Sequence, residues 1–281
     1  MPTNHPEFAN IIRSNVISAL AEDLGGGDLT AQLIPEKITG HATVITRQHA
    51  VLCGKAWFDA CFKILDPHST VTWFVRDGSK IAPNEKICEI HGNARALLTA
   101  ERTALNFLQT LSATATLTQQ YVDAIKGLPA KIMDTRKTIP NLRMAQKYAV
   151  RIGGGYNQRI GLFDGILIKE NHIIAAGGIS EAIKQAFLLA PEDATVQIEV
   201  ENIKQLSEAL DAGAKLILLD NFDLDGMRDA VKFTAHRADL EASGGVNIKT
   251  VRPIAETGVD RISIGTLTKD VNAVDLSLRF L

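Results

Sequence analysis

Short apolar runs alternate with helical patterns from about residue 131 to the end of the chain. Each run is rich in Ile, Leu and Val, which is typical of a strand buried on both faces, and helix-like stretches separate the runs. We predict six strands, at 131–134, 163–169, 195–201, 216–220, 239–242 and 261–264. Successive strand and helix units favour parallel strands with right-handed crossovers. The pattern therefore predicts an α/β barrel, open or closed, with fewer than eight strands.

The first part of the chain has a different pattern. Helical spacing covers 12–24 and 94–125, and between these helices lie β-rich runs bounded by Gly, Pro, Asn and Asp, at 42–52, 70–75 and 86–90. We therefore predict two domains, an α/β sandwich-like domain over 1–112 and the barrel over 113–281. A C-terminal helix is expected to pack back on the first domain.

Composition narrows the class of protein. The chain has 281 residues, of which 46% are hydrophobic, and a net charge of −2, so it can bury a full core and has no general attraction for nucleic acid. It contains no uninterrupted apolar run of about 20 residues that could span a bilayer, and its start lacks the features of a signal peptide. We expect a cytoplasmic protein with no membrane partner. Cys53, Cys61 and Cys88 lack metal-type spacing and are expected to be buried free thiols.

Polar and small residues follow the predicted strands at their carboxyl ends. The carboxyl ends of barrel strands converge on one mouth, so these residues are expected to share one site. In chain order they are Arg136, Lys137, Lys169, Glu199, Asp220, Ser243, Gly244, Gly245, Gly265 and Thr266. A single Arg or Lys at a strand end is more often a solvated charge than a ligand. The prediction therefore depends on the whole set.

Two small-residue loops and two carboxylates indicate the chemistry of this mouth. The segments SGG at 243–245 and IGT at 264–266 lie after the last two strands, and each is expected just before a helix, where backbone N–H groups can bind a phosphate. Glu199 and Asp220 could bind Mg²⁺, which takes one or two carboxylates and completes its shell with water and substrate phosphates. The alternative is that both carboxylates are merely solvated. His172 is expected to be a helix-entry or packing residue.

Nine segments of the chain resemble the quinolinate phosphoribosyltransferase family. They are EDLGGGDLT (22–30), ERTALNFLQTLSATAT (101–116), DTRKTIPNLR (134–143), KYAVRIGGGYNQRIGL (147–162), LIKENHI (167–173), EVEN (199–202), LLDNF (218–222), EASGGV (241–246) and ISIGTLT (262–268). The resemblance extends over almost the whole chain and does not depend on one motif.

The resemblance implies a reaction between quinolinate and 5-phosphoribosyl-1-pyrophosphate. The products would be nicotinate mononucleotide, pyrophosphate and CO₂, with Mg²⁺ as the cofactor. It also implies an α/β domain beside an incomplete α/β barrel. The protein would be a homodimer with a shared active site; assembly of the dimers into hexamers is left open.

The resemblance also implies roles for individual residues. Arg102, contributed by the neighbouring subunit, would bind the two carboxylates of quinolinate together with Arg136, Arg159 and Lys169. The other substrate-binding residues would be Thr135, Lys137, Gln158, Ser243, Gly244, Gly245, Ile264, Gly265 and Thr266. Glu199 and Asp220 would hold the metal. The catalytic residues would be Lys137, Lys169, Glu199 and Asp220.

Gln158 departs from the family pattern, because a histidine is expected at this position. An amide can still donate a hydrogen bond, but it carries no charge and does not titrate. We therefore expect weaker quinolinate binding or a flatter pH profile.

Three alternative functions are weighed against this interpretation. Lys169 at a strand end could be the nucleophile of a Schiff-base lyase. A relative of the same fold from molybdate-transport operons is the second alternative, and DTRKT at 134–138 together with Arg102 favours the dicarboxylate reaction over it. A ligand-binding protein without turnover is the third, and Gln158 is the feature that supports it.

Overall fold

The computed structural model describes residues 6–281, which form two compact units. The first unit comprises the described residues of Met1–Leu117 together with Ile139–Gly153 and Asp270–Leu281. The second comprises Thr118–Thr138 and Gly154–Lys269. Two segments that the sequence placed in the barrel domain, 139–153 and 270–281, therefore belong to the first unit.

Helices and strands alternate along most of the chain. The helices are α1 (Pro6–Leu24), α2 (Lys55–Leu65), α3 (Ala94–Ala124), α4 (Arg143–Ile152), α5 (Glu170–Ala176), α6 (Ile179–Leu189), α7 (Ile203–Asp211), α8 (Leu224–Thr234), α9 (Val251–Ala255) and α10 (Thr266–Lys269). The strands are β1 (Thr39–Thr46), β2 (Ala50–Val51), β3 (Thr70–Trp73), β4 (Lys80–Ile81), β5 (Lys86–Asn93), β6 (Lys131–Met133), β7 (Gly165–Ile168), β8 (Thr195–Val200), β9 (Leu216–Asp220), β10 (Asp239–Ser243), β11 (Arg261–Ser263) and β12 (Leu276–Phe280).

The first unit is built on an antiparallel sheet of four strands, in the order β12-β1-β5-β3. Side chains alternate between its two faces: Ala42, Val44 and Ile90 are fully buried, whereas His91 is exposed. Helix α2 was not anticipated from the sequence. It buries Trp57 among other apolar residues of the core, which is why a segment flanked by strands is helical here.

The end of the chain is a strand, not the helix that the sequence predicted. No helix forms there among the described residues; residues 276–280 form β12, which pairs antiparallel with β1. Leu276 and Leu278 are buried, and their neighbour Ser277 lies between them on the opposite face. The predicted C-terminal helix is therefore wrong. The segment does pack on the N-terminal part of the chain, but as an added strand.

The second unit contains a parallel sheet of six strands, in the order β6-β11-β10-β9-β8-β7. Each of the six predicted strands is present, with bounds that differ by a few residues. The sheet is not closed, because β6 and β7 lie at its two ends without pairing with each other. Beside β6, the bridge from Met133 to Tyr156 places the segment that leads to Arg159 next to this strand. The prediction of an α/β fold with an incomplete barrel is confirmed.

The expected state of the cysteines is also confirmed, since Cys53, Cys61 and Cys88 are free and buried. Burial raises the pKa of the Cys61 thiol to about 12, so the thiolate is disfavoured. Among residues 6–281, no helix is both long and apolar enough to cross a membrane.

The pairing of β12 with β1 predicts a position-dependent cost of mutation at the end of the chain. Leu276→Ala removes a buried side chain, and we expect it to lower the free energy of unfolding by about 2–4 kcal/mol in a urea titration. Ser277→Ala, the matched control on the other face of the strand, should change it by less than about 0.5 kcal/mol. An equal effect of the two substitutions would contradict the packing described for β12.

Candidate active site

Strand alternation gives the second unit one polar interior face. Residues two apart in a strand point to the same side, so five of the six strands each contribute one residue to a floor and another, two positions later, to a rim. The floor and rim pairs are Leu167 and Lys169, Gln197 and Glu199, Leu218 and Asp220, Glu241 and Ser243, and Ser263 and Gly265. The rim lies at the carboxyl ends of the parallel strands, as the sequence predicted.

These residues line a pocket of about 540 Å³ that is built by the second unit alone. The site residues predicted from the sequence that line it are Thr135, Arg136, Lys137, Gln158, Arg159, Lys169, Glu199, Asp220, Ser243, Gly244, Gly245, Ile264, Gly265 and Thr266. Arg102 is not among them, since it lies exposed on α3 in the first unit. Side chains separated by up to 130 positions in the sequence therefore share one cavity.

Two arginines concentrate positive charge on one side of the pocket. Arg159 is held by a hydrogen bond from its Nη1 to the carbonyl oxygen of Gly165, at 2.9 Å. Its pKa is lowered mainly by burial and then by repulsion from the guanidinium of Arg136, while Asp164 opposes this effect. Because the two guanidinium groups repel each other, an anion bound between them would relieve the repulsion.

Opposite charges meet at the ends of β7, β8 and β9. Lys169 Nζ donates to Glu199 Oε2 at 2.6 Å, and the Glu199 side chain is only 15% exposed. The pKa of Asp220 is raised, first by burial and then by the negative charge of Glu199, although Lys169 and Lys137 act in the opposite direction. The two carboxylates are therefore close enough to repel each other, and lysines only partly compensate them.

Helix α5 fixes the start of the Lys169 segment. The backbone N–H of Lys169 donates to His172 Nδ1 at 3.0 Å, which closes a capping box at the first turn of the helix. His172 is thus a helix-entry residue, as predicted. Its imidazole holds the backbone from which the Lys169 side chain extends.

Lys137 lies against Gly265 at the rim. A Cβ atom at Gly265 would come within 2.9 Å of Lys137 Cδ, so a larger residue there would displace the lysine side chain from its present position. The carbonyl oxygen of Lys137 accepts a hydrogen bond from Thr268 Oγ1 at 2.8 Å, and its N–H donates to Thr135 Oγ1 at 3.1 Å. Among the described residues, the buried hydroxyl of Thr266 has no hydrogen-bond partner. This side of the rim therefore presents an ammonium group and a hydroxyl group that is available to a ligand.

The loop after β10 depends on two glycines with positive φ angles. Gly244 has φ +102 and Gly245 has φ +60, values that favour glycine. At Gly244 a Cβ atom would also approach Asn221 Oδ1 closely, and no heavy atom lies within 4 Å of a Cβ at Gly245. The loop was expected just before a helix, but α9 begins only at Val251. A phosphate at this loop would therefore contact backbone N–H groups of the glycines rather than the first turn of a helix.

Glu241, Gln197 and Gln158 form a polar group at the floor that the sequence did not predict. Glu241 is fully buried and accepts hydrogen bonds from Gln158 Nε2, at 2.5 Å to Oε1, and from Gln197 Nε2 at 3.1 Å. Burial raises its pKa, while these hydrogen bonds and one with Ser263 oppose the shift. Glu241 and Gln197 were missed because each lies inside an otherwise apolar strand. The signal that could have revealed them is their position two residues before Ser243 and Glu199, on the same strand face.

Asp134 fixes the segment that carries Gln158 and Arg159. It is fully buried at the end of β6, accepts from the backbone N–H of Gln158 at 2.8 Å and accepts from Asn157 Nδ2 at 2.6 Å. Since Asp134 is next to Thr135 and Arg136 in the chain, one buried carboxylate ties both arginine-bearing segments together.

The pocket can therefore bind a strongly anionic ligand at several points. It offers two guanidinium groups, three lysines (Lys137, Lys169 and Lys269), a hydroxyl, a glycine loop and a pair of carboxylates suited to a hard cation. None of these groups forms the paired nucleophile and base that covalent catalysis by Ser or Cys requires.

Known proteins are similar to this chain over most of its length. Residues 28–112 match the model of the quinolinate phosphoribosyl transferase N-terminal domain, and residues 114–279 match that of the C-terminal domain. A curated relative from Bacillus subtilis, described as a probable carboxylating nicotinate-nucleotide pyrophosphorylase, is 42% identical over 257 residues, which cover 92% of this chain and 89% of the relative.

Solved structures are similar to the same extent. The nicotinate-nucleotide pyrophosphorylase from Francisella tularensis superposes with a TM-score of 0.94 at 46% identity, covering 97% of this chain and 96% of that one. The enzyme of the same name from Ehrlichia chaffeensis gives 0.90 at 38% identity, with 98% of each chain covered. These matches extend over both units of the chain. The chain therefore belongs to the quinolinate phosphoribosyl transferase family.

Proposed function

We propose that this protein is a carboxylating nicotinate-nucleotide pyrophosphorylase, a phosphoribosyltransferase of NAD biosynthesis. It would transfer the phosphoribosyl group of 5-phosphoribosyl-1-pyrophosphate to quinolinate and release CO₂, pyrophosphate and nicotinate mononucleotide. The observation that carries the proposal is the shared rim, where cationic residues that follow β6 and β7, together with Arg159 from the loop before β7, line one pocket with the carboxylate pair of Glu199 and Asp220. Both substrates are polyanions, and this arrangement provides separate positions for each.

Quinolinate would bind at the side of the pocket that carries Arg136 and Arg159. Its two adjacent carboxylates are planar, and guanidinium groups bind planar carboxylates through two parallel hydrogen bonds. The repulsion that lowers the pKa of Arg159 would be relieved by a bound diacid. Gln158 lines the same side, and its Nε2 donates to Glu241 and toward Gln197, so a substrate carboxylate would compete with these acceptors for the amide hydrogen bonds.

The sugar donor would bind along the opposite side of the rim. Lys137, the Thr266 hydroxyl and the glycines at 244–245 provide donors for phosphate oxygens. Ser243, Ile264, Gly265 and Thr135 complete this side of the pocket. Placing both substrates in one cavity brings the pyridine nitrogen next to the anomeric carbon, which converts an encounter between two molecules into a reaction within one complex.

The carboxylates of Glu199 and Asp220 fit a Mg²⁺ site. Burial and then repulsion from Glu199 raise the pKa of Asp220, and a divalent cation between the two carboxylates would remove this repulsion. When bound, Mg²⁺ would neutralise part of the charge on the departing pyrophosphate. Glu199 also holds Lys169 in place, so the same residue would set the position of the cationic side chain that faces the substrates.

The chemistry then proceeds in two steps. The pyridine nitrogen forms a bond to the anomeric carbon while the bond from that carbon to the pyrophosphate oxygen breaks, through an oxocarbenium-like state. The alkylated nitrogen is positive and stabilises a carbanion at C2, so the bond to the 2-carboxylate breaks and CO₂ leaves; C2 then takes up a proton. No covalent enzyme intermediate is needed, and the protein contributes positioning and charge stabilisation.

The geometry favours this reaction over a Schiff-base mechanism. Lys169, the only lysine proposed as a nucleophile, is engaged in an ion pair with Glu199 at 2.6 Å and lies at a charged rim. In this ion pair the ammonium group of Lys169 contacts the carboxylate of Glu199. The other residues around it are charged groups that suit phosphates and carboxylates better than a neutral carbonyl.

We also propose that the active enzyme is a homodimer with shared sites, and that it acts in the cytoplasm. Arg102, which the family resemblance assigns to the neighbouring subunit's site, is exposed on α3, while the pocket is lined by the second unit alone. The three free, buried cysteines are consistent with a reducing compartment. Assembly of dimers into a hexamer is an extension of the same proposal.

A direct assay tests the reaction. The purified protein incubated with quinolinate, phosphoribosyl pyrophosphate and Mg²⁺ should form nicotinate mononucleotide and release an equal amount of CO₂. We expect Lys169→Met to lower kcat/KM by at least about 100-fold, because it removes a charge that faces the substrates. Lys184→Met, at an exposed position of α6, is the matched control and should retain full activity. Absence of product with the wild-type protein would refute the proposed function.

Gln158 predicts a difference from relatives that have histidine. Gln158→His introduces a side chain with an ordinary pKa of about 6.5, which donates a charged hydrogen bond at lower pH. A charged bond is stronger than a neutral one by about 1 kcal/mol, so the KM for quinolinate should fall about fivefold below pH 6.5 and return toward the wild-type value above it. Gln185→His on α6 is the control. Identical pH profiles for wild type and Gln158→His would contradict this role.

Shared sites predict complementation between inactive variants. If Arg102 acts in the neighbouring subunit, co-expression of Arg102→Ala and Arg159→Ala chains yields mixed dimers with one intact site, and about a quarter of the wild-type activity should return. Co-expression of Arg136→Ala and Arg159→Ala chains is the control, because both residues line one pocket and every mixed dimer lacks one of them in each site. Recovery in neither mixture would refute the shared site.

A further inference from the structure

Two histidines and a glutamate lie together on one face of the antiparallel sheet in the first unit. In the register of β1 and β5, His41 is directly opposite His91, and Glu89 precedes His91 by two residues, which places it on the same face. The imidazole rings of His41 and His91 stack with centroids 3.8 Å apart and an interplanar angle of 20°. The intervening residues Ala42 and Ile90 are buried in the core, so the three polar side chains occupy the outer face of the sheet.

The ligand atoms of this cluster have the spacing of a metal site. The three side chains can each present a nitrogen or oxygen atom within 4.8 Å of the other two. His41 Nε2 lies 3.6 Å from Glu89 Oε2, which is too long for a hydrogen bond. Two atoms that each lie about 2.0–2.2 Å from a tetrahedral Zn²⁺ are about 3.3–3.6 Å apart, so this separation matches two ligands of one ion.

His41 Nε2 also lacks a partner. The atom is shielded from solvent, and no hydrogen-bonding group within residues 6–281 reaches it. A buried polar atom without a partner is unfavourable, and most such atoms in proteins are satisfied. A cation at this position would provide the missing interaction, because neutral imidazole is a strong ligand for transition metals.

The carboxylate of Glu89 is oriented with one oxygen toward Lys86 and the other toward His41. Lys86 Nζ donates to its Oε1 at 2.7 Å, which leaves Oε2 directed toward His41. The salt bridge thus occupies one oxygen and orients the other.

We propose that His41, Glu89 and His91 form a binding site for a divalent transition-metal ion such as Zn²⁺. Two imidazoles and one carboxylate suit this class of ion, whereas Mg²⁺ and Ca²⁺ prefer sites made entirely of oxygen ligands. Three protein ligands leave a fourth position for water. Since the ligands come from β1 and β5, the ion would cross-link two adjacent strands of the sheet and stabilise them. The site is independent of the proposed reaction, for which the carboxylates of the second unit would bind a harder cation.

Calorimetric titration of Zn²⁺ into the full-length, tag-free protein tests the site. The protein is first freed of metal with a chelator, and the titration is performed in excess Mg²⁺ so that Glu199 and Asp220 do not contribute. We expect one Zn²⁺ per chain. Mutation of a residue that only hydrogen-bonds to a metal ligand lowers the metal affinity about 10- to 100-fold. Loss of a direct ligand, in His41→Ala or His91→Ala, should therefore weaken Zn²⁺ binding by at least about 100-fold.

His49→Ala removes an exposed histidine between β1 and β2 and is the matched control, which should bind Zn²⁺ as tightly as the wild type. His91→Ala alters an exposed side chain, so it keeps the test valid if His41→Ala fails to fold. Zn²⁺ should also raise the midpoint of thermal unfolding of the wild type and of His49→Ala, but not that of His91→Ala. Absence of binding to the wild type, or equal affinity in His91→Ala and the wild type, would overturn the proposal.

Discussion

Charge compensation at the rim of the parallel sheet is the constraint on which the site depends. Gathering two arginines and three lysines at one mouth is unfavourable unless negative charge balances them, and Glu199 with Asp220 balances only part of the positive charge. In the free protein the pKa of Arg159 is lowered and that of Asp220 is raised, in each case first by burial and then by a neighbouring group of like charge. Binding a polyanionic substrate pair with a divalent cation would remove both like-charge repulsions, so the free energy of binding would come largely from charges that the fold already holds in place.

The strand register makes this arrangement possible. Because parallel strands end at the same level, one residue from each strand reaches the rim and the residue two positions earlier reaches the floor. The floor is not simply apolar: the buried carboxylate of Glu241 lies beneath the pocket and accepts hydrogen bonds from Gln158 and Gln197. A second buried carboxylate, Asp134, fixes the backbone of the segment that carries Arg159. Two buried carboxyl groups thus position neutral or cationic groups that line the pocket, which explains why polar residues are present in the core of the unit.

Much of the second unit could be predicted from the sequence. Its strands are buried on both faces, so they form apolar runs of a kind that is easy to detect, and their ends carry the charged residues. Glu241 and Gln197 were not predicted, because a polar residue inside an apolar run carries no information about its neighbours until the register is known. The structure of the first unit was harder to predict from the sequence. Its last strand, β12, consists of five residues that pair with a strand more than 200 positions earlier, and local patterns do not contain such a long-range pairing. The proximity of His41 to His91 could not be predicted for the same reason, since 50 residues separate them in the chain.

The most direct measurement of the central claim is a crystal structure of this protein with quinolinate bound in the absence of the sugar donor, so that no turnover occurs. The account predicts that the two carboxylates of quinolinate lie within hydrogen-bonding distance of the guanidinium groups of Arg136 and Arg159, with the pyridine nitrogen directed toward Glu199 and Asp220. Quinolinate bound in another cavity, or bound in this one with its carboxylates directed away from both arginines, would contradict it.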